Sequence, residues 1–267
     1  MATRIGKKFD ELRAKKEKAL VVYLTAGDPS REMTKKIIFA LEKAGVDIVE
    51  IGVPFSDPTA DGPVIQEAAQ RALKAGTTLT GVLQTVAQIR EVSQIPVVLF
   101  GYFNPIFSYG VKKFAQNARE AGVDGVLVVD LPTEEAHELR QFTEASGIDF
   151  ISLVAPTTGM QRAKKIAAAA TGFLYYISIT GVTGTAAPKI VDIEADLKKI
   201  RKISSLPVAV GFGISKPEQA REIGKLADGV VVGSALVKLI AENSNNAGLL
   251  KIISDYAGKI KNALKSA

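Results

Sequence analysis

Eight short runs of β-branched and other apolar residues recur along the chain, and stretches with helical periodicity separate them. A run that is apolar on both faces is typical of a buried parallel strand rather than of an antiparallel strand with one face in water. The eight predicted strands are ALVVYLTAG, VDIVEIG, IPVVLFG, GVLVVD, DFISLVAP, FLYYIS, LPVAVGFG and GVVVGSA. Eight strands that alternate with helices over about 250 residues predict a (β/α)8 TIM barrel.

The joints between predicted helices and strands also repeat. AGVD occurs at 44–47 and 121–124, and SGID occurs at 146–149. In each joint the glycine can end a helix in the left-handed conformation, and the next strand begins at once. Repeated joints favour repeated βα units, with an additional N-terminal helix at roughly 3–18. The alternative is an open doubly wound sheet, which fits less well because no early G-x-G-x-x-G follows the first strand.

No linker or low-complexity segment interrupts the pattern, so a single domain is predicted for residues 1–267. The chain has no cysteine, which excludes disulfides, thiolate metal sites and a cysteine nucleophile. The segment MATRIGKKFDELRAKKEK lacks the apolar core of a signal peptide, and no apolar run is long enough to span a membrane. We therefore expect a cytoplasmic protein.

The formal charge of +6 is concentrated at the two ends of the chain. Residues 1–18 hold seven Lys/Arg against three Asp/Glu, and residues 249–267 hold four against one. The body of the chain is therefore close to neutral and has no basic stripe with interleaved aromatic residues. Binding to nucleic acid is not expected from this distribution.

In a TIM barrel the chemistry lies where strands end, and few residue types are available there. The single histidine, His137, lies in the predicted helix TEEAHELRQF, and no lysine ends a predicted strand. Histidine-bound zinc, a Ser-His-Asp triad and a Schiff-base lysine are consequently disfavoured. Carboxylates, hydroxyls and backbone amides remain as the candidate groups.

The stretch EIGVPFSDPTADGP holds the first candidate carboxylates. Glu50 shares a strand face with Ile48, and burial there would raise the pKa of its carboxyl until it can donate a proton near neutral pH. Asp61 precedes a predicted helix, where capping of that helix and catalysis are equally compatible with the pattern. A magnesium site formed by Glu50, Asp57, Asp61 and Asp130 is a weaker alternative.

The last third of the chain holds a glycine-rich cluster. Gly184, Gly211, Gly213 and Gly233 would let backbone amides approach an anion, and Ser234 begins a helix whose N-terminus favours negative charge. Because TIM barrels commonly bind phosphate with the loops after strands seven and eight, these residues predict a phosphate site. Ordinary turns at helix starts are the alternative.

Two further features of this region have open interpretations. The loop TGVTGTAAPK has the composition of a lid that closes over a ligand, but also that of a simple connection. Tyr175 shares a strand face with Phe173 and Ile177, so its ring can pack in the barrel while its hydroxyl meets a ligand. Core packing alone explains Tyr175 equally well.

Taken together and in this order, EIGVPFSDPTADGPVIQEA, FGYFNPIF, DLP, SITGVTG, GFGIS and DGVVVGSALV closely resemble the α subunit of tryptophan synthase. The resemblance spans nearly the whole chain, and its first motif is highly specific. It implies a lyase that cleaves indole-3-glycerol phosphate to indole and glyceraldehyde 3-phosphate by a retro-aldol reaction. It also implies that this chain needs neither a metal nor an organic cofactor.

The resemblance assigns roles to individual residues. It implies that Glu50 is the acid/base group and that Asp61 holds the indole N–H. It places Tyr175 beside the substrate and Thr183 in a lid that meets the aspartate. The remaining residues implied to surround the substrate are Gly184, Gly213, Gly233 and Ser234 at the phosphate, and Phe212 with Leu99 or Phe100 at the indole.

The resemblance further implies a partner, a pyridoxal-phosphate β subunit that receives the indole within an α2β2 heterotetramer. The segment 54–58 and the pair Asn104 and Pro105 match contact loops for that partner. Ile179 departs from relatives that carry a basic residue there, which leaves an electrostatic role of the lid open. Two interpretations compete with this one. The chain could be a sugar-phosphate epimerase, or it could be a barrel that only docks on a partner and activates it.

Overall fold

Nine parallel strands form one nearly closed barrel in the computed structural model, which describes residues 3–177, 190–211 and 213–267. The strands are β1 (Ala19–Thr25), β2 (Ile48–Gly52), β3 (Val97–Gly101), β4 (Gly125–Val128), β5 (Asp149–Phe150), β6 (Ser152–Val154), β7 (Leu174–Ile177), β8 (Val208–Gly211) and β9 (Gly229–Val232). Their order in the sheet is β5-β4-β3-β2-β1-β9-β8-β7-β6.

The predicted fifth strand is split in two. β5 and β6 lie at opposite ends of the sheet order, and only Ile151 separates them in sequence. The chain therefore passes from one edge of the sheet to the other through this one residue, and the two short strands together fill the fifth position. The predicted (β/α)8 TIM barrel with an additional N-terminal helix is confirmed.

Helices surround the barrel in the described part of the chain. They are α1 (Arg4–Ala14), α2 (Arg31–Lys43), α3 (Pro63–Lys74), α4 (Leu79–Arg90), α5 (Phe103–Tyr109), α6 (Val111–Ala121), α7 (His137–Ala145), α8 (Met160–Ala169), α9 (Ile190–Arg201), α10 (Pro217–Gly224), α11 (Ser234–Glu242) and α12 (Leu249–Lys265). The predicted helix TEEAHELRQF begins later than expected, because residues 133–136 form turns and α7 starts at His137, which is exposed.

Helix α1 closes the N-terminal end of the barrel. Its buried side chains Ile5, Phe9 and Leu12 are spaced four and three residues apart, so they lie on one face of the helix. That face packs against the interior residues of the strands, and the rings of Phe9 and Phe173 lie 5.7 Å apart. The floor of the barrel is therefore apolar and filled.

Side chains of each strand alternate between the barrel interior and the layer under the helices, as strand geometry requires. In β2, Ile48 belongs to the interior cluster, whereas Val49 and Ile51 belong to the cluster packed against the helices. Glu50, which is two residues after Ile48, consequently points into the barrel above the filled floor. This confirms the face predicted for Glu50.

The backbone conformation of the repeated joints explains why each of them contains a glycine. Gly45, Gly122 and Gly147 have φ values of 95°, 85° and 68°, which is the left-handed region that side chains disfavour. Each glycine ends a helix, and the next strand begins two or three residues later. The predicted role of these glycines is confirmed.

The aspartates that directly precede β2, β4 and β9 have a role that the sequence did not reveal. Each accepts a hydrogen bond from the backbone N–H at or next to the first residue of a neighbouring strand. The three pairs are Asp47 with the N–H of Leu20 at 2.7 Å, Asp124 with that of Val97 at 2.8 Å, and Asp228 with that of Val208 at 2.9 Å. These carboxylates therefore connect adjacent strands by hydrogen bonds at the N-terminal end of the barrel.

We expect Asp124→Asn to destabilise the fold by about 3 kcal/mol, because Asp124 also pairs with Arg90, a side chain that is 10% exposed. The amide would leave the buried guanidinium without its anion. Asp10→Asn is the control, because the ion pair of Asp10 with Arg13 is exposed and should be worth less than about 1 kcal/mol. Urea denaturation of both variants measures the difference, and equal losses would contradict this role of Asp124.

Candidate active site

Glu50 lies toward the C-terminal mouth of the barrel, and its side chain is buried. In the sheet it lies between Tyr23 of β1 and Val98 of β3, and it is 1% exposed. Neither carboxyl oxygen has a hydrogen-bond partner among the described residues. Burial raises the pKa of Glu50 to about 8. The carboxyl is therefore protonated at neutral pH and can donate a proton.

Asp61 does not cap helix α3. That helix begins at Pro63 with Gly62 as its N-cap residue, and no side chain makes the capping hydrogen bond. Instead, Asp61 Oδ2 accepts a hydrogen bond of 3.0 Å from the Tyr102 hydroxyl. The capping interpretation is therefore wrong, since the carboxylate is turned toward another loop.

The pKa of Asp61 results from two opposing effects. Burial raises it to about 6, and the hydrogen bond from Tyr102 holds it below the value that burial alone would produce. Asp61 is consequently ionised at neutral pH, whereas Glu50 is protonated. Two carboxyl groups with pKa values pushed apart in this way are suited to different parts of one reaction.

Tyr23 is a residue of the mouth that sequence reasoning missed. It lies beside Glu50 in the sheet, and its ring meets Phe100 edge-on at 5.1 Å. Burial, and after it the carboxylates of Asp61 and Glu50, raise the pKa of the Tyr23 phenol. The available signal was the position of Tyr23 two residues after Val21, on the interior face of the predicted first strand.

Tyr175 packs its ring inside the barrel and places its hydroxyl nearer the mouth. Its ring packs against the interior cluster of the barrel. Its hydroxyl lies over Gly211, nearer the mouth, where an added Cβ would collide with it. Burial, and after it the Glu50 carboxylate, raise the pKa of Tyr175. The phenol therefore lies within the electrostatic field of Glu50.

Tyr23 and Tyr175 share one local arrangement. Tyr23 pairs with Glu50 on the next strand and lies over Gly52, and Tyr175 pairs with Ala209 and lies over Gly211. In both cases the glycine stands two residues beyond the pairing partner. The absence of a side chain at these glycines gives each phenol its space at the mouth.

Phe100, rather than Leu99, faces the mouth of the barrel. Phe100 packs with Tyr23 and with residues of α3 and α11, whereas Leu99 is buried in the layer under the helices. Alternation along β3 separates these neighbours, which the sequence left as alternatives.

The glycine-rich end of the barrel is partly described. Gly213 follows β8 with a φ of 77°, and Gly233 follows β9 as the N-cap residue of α11. Ser234 is the exposed first residue of that helix. The predicted residues Thr183, Gly184 and Phe212, and also Ile179, lie outside the described residues.

The carboxylates considered for magnesium are engaged separately. Asp57 accepts a hydrogen bond from Ser56, and Asp130 accepts one of 2.8 Å from the backbone N–H of Phe103. Within residues 3–177, 190–211 and 213–267, no group of three or more acidic, histidine or cysteine side chains is arranged to hold a metal ion. None of the helices in these ranges is long and apolar enough to cross a membrane.

An apolar (β/α)8 barrel with a buried carboxyl toward its C-terminal mouth has the architecture of a TIM-barrel enzyme. Residues 9–265 match the family described as tryptophan synthase alpha chain. The chain belongs to this family.

Individual relatives agree with the family match. The tryptophan synthase alpha chain of Desulfatibacillum aliphaticivorans is 51% identical over 264 residues, which are 98% of each chain. That of Geobacter sp. (strain M21) is 50% identical over 259 residues, or 97% of each chain. Among solved structures, tryptophan synthase subunit alpha from Legionella pneumophila is 39% identical with a TM-score of 0.93 over the full length of both chains. A tryptophan synthase chain from M. tuberculosis is 32% identical with a TM-score of 0.89, also over both full lengths.

Membership of the family establishes the reaction. The chain is a lyase of tryptophan biosynthesis that cleaves indole-3-glycerol phosphate to indole and glyceraldehyde 3-phosphate. It acts in a complex with a β subunit, to which the indole passes.

We expect Gly52→Ala to lower the rate of indole release at least tenfold, because the added Cβ would push the Tyr23 ring from its place beside Glu50. Gly62→Ala is the matched control. Gly62 adjoins Asp61, yet an added Cβ there meets no atom within 4 Å. Initial rates of both variants test the difference, and equal rates would contradict a steric requirement at Gly52.

We also expect Glu50→Gln to change how stability depends on pH. The folded chain holds the Glu50 proton up to about pH 8, whereas the unfolded chain releases it near 4.5. The folded state therefore binds more protons in this window, and wild-type stability falls as the pH rises through it. The decline should be on the order of a few kcal/mol.

The Gln variant should lose this decline, and urea denaturation at pH 5 and pH 9 measures it. Glu138→Gln, on the exposed face of α7, is the control and should keep the wild-type decline. A Glu50→Gln variant with the wild-type decline would show that the Glu50 carboxyl is not protonated by burial.

Proposed function

We propose that Glu50 and Asp61 carry out the retro-aldol cleavage in this chain, with Glu50 as the acid and base and Asp61 as the charged partner of the indole ring. The observation that supports this most directly is the buried Glu50 carboxyl, which has no hydrogen-bond partner among the described residues and a pKa raised to about 8. A general acid works best when its pKa lies near the working pH.

The first step is a proton transfer from Glu50 to the indole carbon that carries the glycerol side chain. The ring becomes a cation with its charge on the nitrogen, and Glu50 becomes a carboxylate. The Asp61 carboxylate accepts a hydrogen bond from the ring N–H and stabilises this charge. Because Asp61 has a pKa of about 6, it is available as an anion at neutral pH.

In the second step the Glu50 carboxylate removes the proton of the adjacent glycerol hydroxyl. The electron pair of that O–H bond forms the aldehyde C=O, and the carbon–carbon bond to the ring breaks. The electrons of the broken bond return to the ring and restore neutral indole. Glu50 regains the proton that it gave in the first step, so the cycle needs no oxidant or reductant.

The other predicted residues hold the substrate in this proposal. Tyr175 and Phe212 flank it, and Thr183 meets Asp61 from the lid. The N-terminus of α11 binds the phosphate through backbone amides and a helix dipole that favours negative charge. The residues assigned to the phosphate are Gly184, Gly213, Gly233 and Ser234.

We further propose that the chain acts as a single domain, residues 1–267, in the cytoplasm and without its own metal or organic cofactor. Pyridoxal phosphate belongs to the β subunit of an α2β2 heterotetramer. The segment 54–58 and the residues Asn104 and Pro105 face that partner. Exposure of Ser56, Asp57 and Asn104 supports this placement.

The test is indole release from indole-3-glycerol phosphate by the purified chain, with and without the β subunit and in the presence of a chelator. Wild type should turn over, whereas Glu50→Gln should lose 100- to 10,000-fold and Asp61→Asn 100- to 1,000-fold in rate. Glu138→Gln is the control. The value of kcat/KM should rise through about pH 6 as Asp61 ionises and fall through about pH 8 as Glu50 ionises.

The variants separate the proposal from its alternatives. Full activity of Glu50→Gln would refute the acid/base assignment. Activity that the chelator abolishes would restore the magnesium interpretation. A chain that stimulates the β subunit without releasing indole would act only as a docking barrel.

A further inference from the structure

Tyr102 links the backbone and the side chain of the loop that carries Asp61. It follows β3 directly and is 3% exposed. Its hydroxyl accepts a hydrogen bond of 3.0 Å from the backbone N–H of Ala60 and donates one of 3.0 Å to Asp61 Oδ2. One oxygen therefore holds two adjacent residues of the loop, and its single proton is committed to the carboxylate.

The ring of Tyr102 is fixed by its neighbours. It packs against the ring of Phe55 at 5.3 Å, so the same side chain touches the loop near its beginning as well as near its end. The next residue, Phe103, donates its backbone N–H to Asp130. The phenol is consequently held from both sides and has little freedom to follow a movement of Asp61.

The loop backbone is also ordered by contacts that do not involve Tyr102. The N–H of Asp61 donates to the carbonyl of Pro58 at 3.0 Å, and the Gln66 side chain donates to the carbonyl of Asp61 at 2.8 Å. These bonds fix the main chain and leave the Asp61 side chain free to rotate. The hydrogen bond from Tyr102 is what selects one orientation of the carboxylate.

We propose that Tyr102 is a positioning residue for the lyase reaction, which aims the Asp61 carboxylate through the hydrogen bond that its hydroxyl donates. This inference rests on the role proposed above for Asp61. The groups that face Asp61 are the phenols of Tyr102 and Tyr23 and the amide of Gln66, and Asp130 acts on Tyr102. Among the described residues no lysine or arginine pairs with Asp61, so the Tyr102 hydroxyl is its main stabilising donor.

The test is Tyr102→Phe, which keeps the ring and its packing and removes only the hydroxyl. We expect kcat to fall 10- to 100-fold, because a hydrogen bond to a charged group is lost. The limb of the rate profile near pH 6 should move to higher pH, since burial would then raise the pKa of Asp61 without opposition. A residue with only a structural role would not move this limb.

Tyr109→Phe is the matched control. Tyr109 lies at the end of α5, and its hydroxyl accepts a hydrogen bond from Asn117 rather than from the Asp61 loop. Its removal should leave the limb near pH 6 where it is. In the Asp61→Asn background, Tyr102→Phe should cost no further activity, because the proposed effect passes through Asp61.

A second measurement does not depend on turnover. The carboxyl pKa of Asp61, followed by 13C NMR on labelled chain, should rise in Tyr102→Phe and stay unchanged in Tyr109→Phe. If wild type releases indole but Tyr102→Phe keeps its rate, its pH limb and its Asp61 pKa, the role of Tyr102 is refuted. If wild type releases no indole with or without the β subunit, the proposed function itself fails.

Discussion

The height to which apolar side chains fill the barrel determines where chemistry can occur in this protein. Helix α1 inserts Ile5, Phe9 and Leu12 from the N-terminal end of the barrel. The first interior residues of the strands complete an apolar floor there. Glu50 is an acidic side chain directly above that floor, at the same level as Tyr23. Its surroundings are therefore apolar beneath and aromatic beside it, and this arrangement gives the carboxyl its properties.

Burial of the Glu50 carboxyl has opposite consequences for folding and for catalysis. A carboxyl that is buried among apolar side chains prefers to keep its proton, so Glu50 destabilises the folded chain at alkaline pH and supplies an acid at neutral pH. Asp61 lies in a half-buried loop and has the Tyr102 hydroxyl as a donor, so it releases its proton earlier. The difference between the two carboxyl groups comes from their surroundings, since the chemistry of the groups is the same.

The sequence predicted those features that depend on neighbours in the chain. Alternation within VDIVEIG placed Glu50 on the same strand face as Ile48, and the eight apolar runs indicated eight strands. The repeated glycine joints favoured repeated βα units. Features that depend on distant residues were not predictable in the same way. Asp61 and Tyr102 are 41 residues apart, so neither the true partner of Asp61 nor the failure of the capping interpretation could be read from the pattern. The interruption at Ile151 was also missed, because a one-residue break leaves an apolar run unchanged.

Acidic residues have different roles at the two ends of the barrel, because the backbone N–H groups differ in whether they are available as donors. Where a strand begins, its first N–H groups are not all committed to the sheet, so Asp47, Asp124 and Asp228 can each accept one. Farther along the strands the sheet has used the backbone donors, and the inward-pointing carboxyl of Glu50 has no hydrogen-bond partner in the part of the chain that the structure describes. A carboxyl group at the start of a strand therefore stabilises the fold, whereas one in the interior near the end of a strand remains available to a substrate.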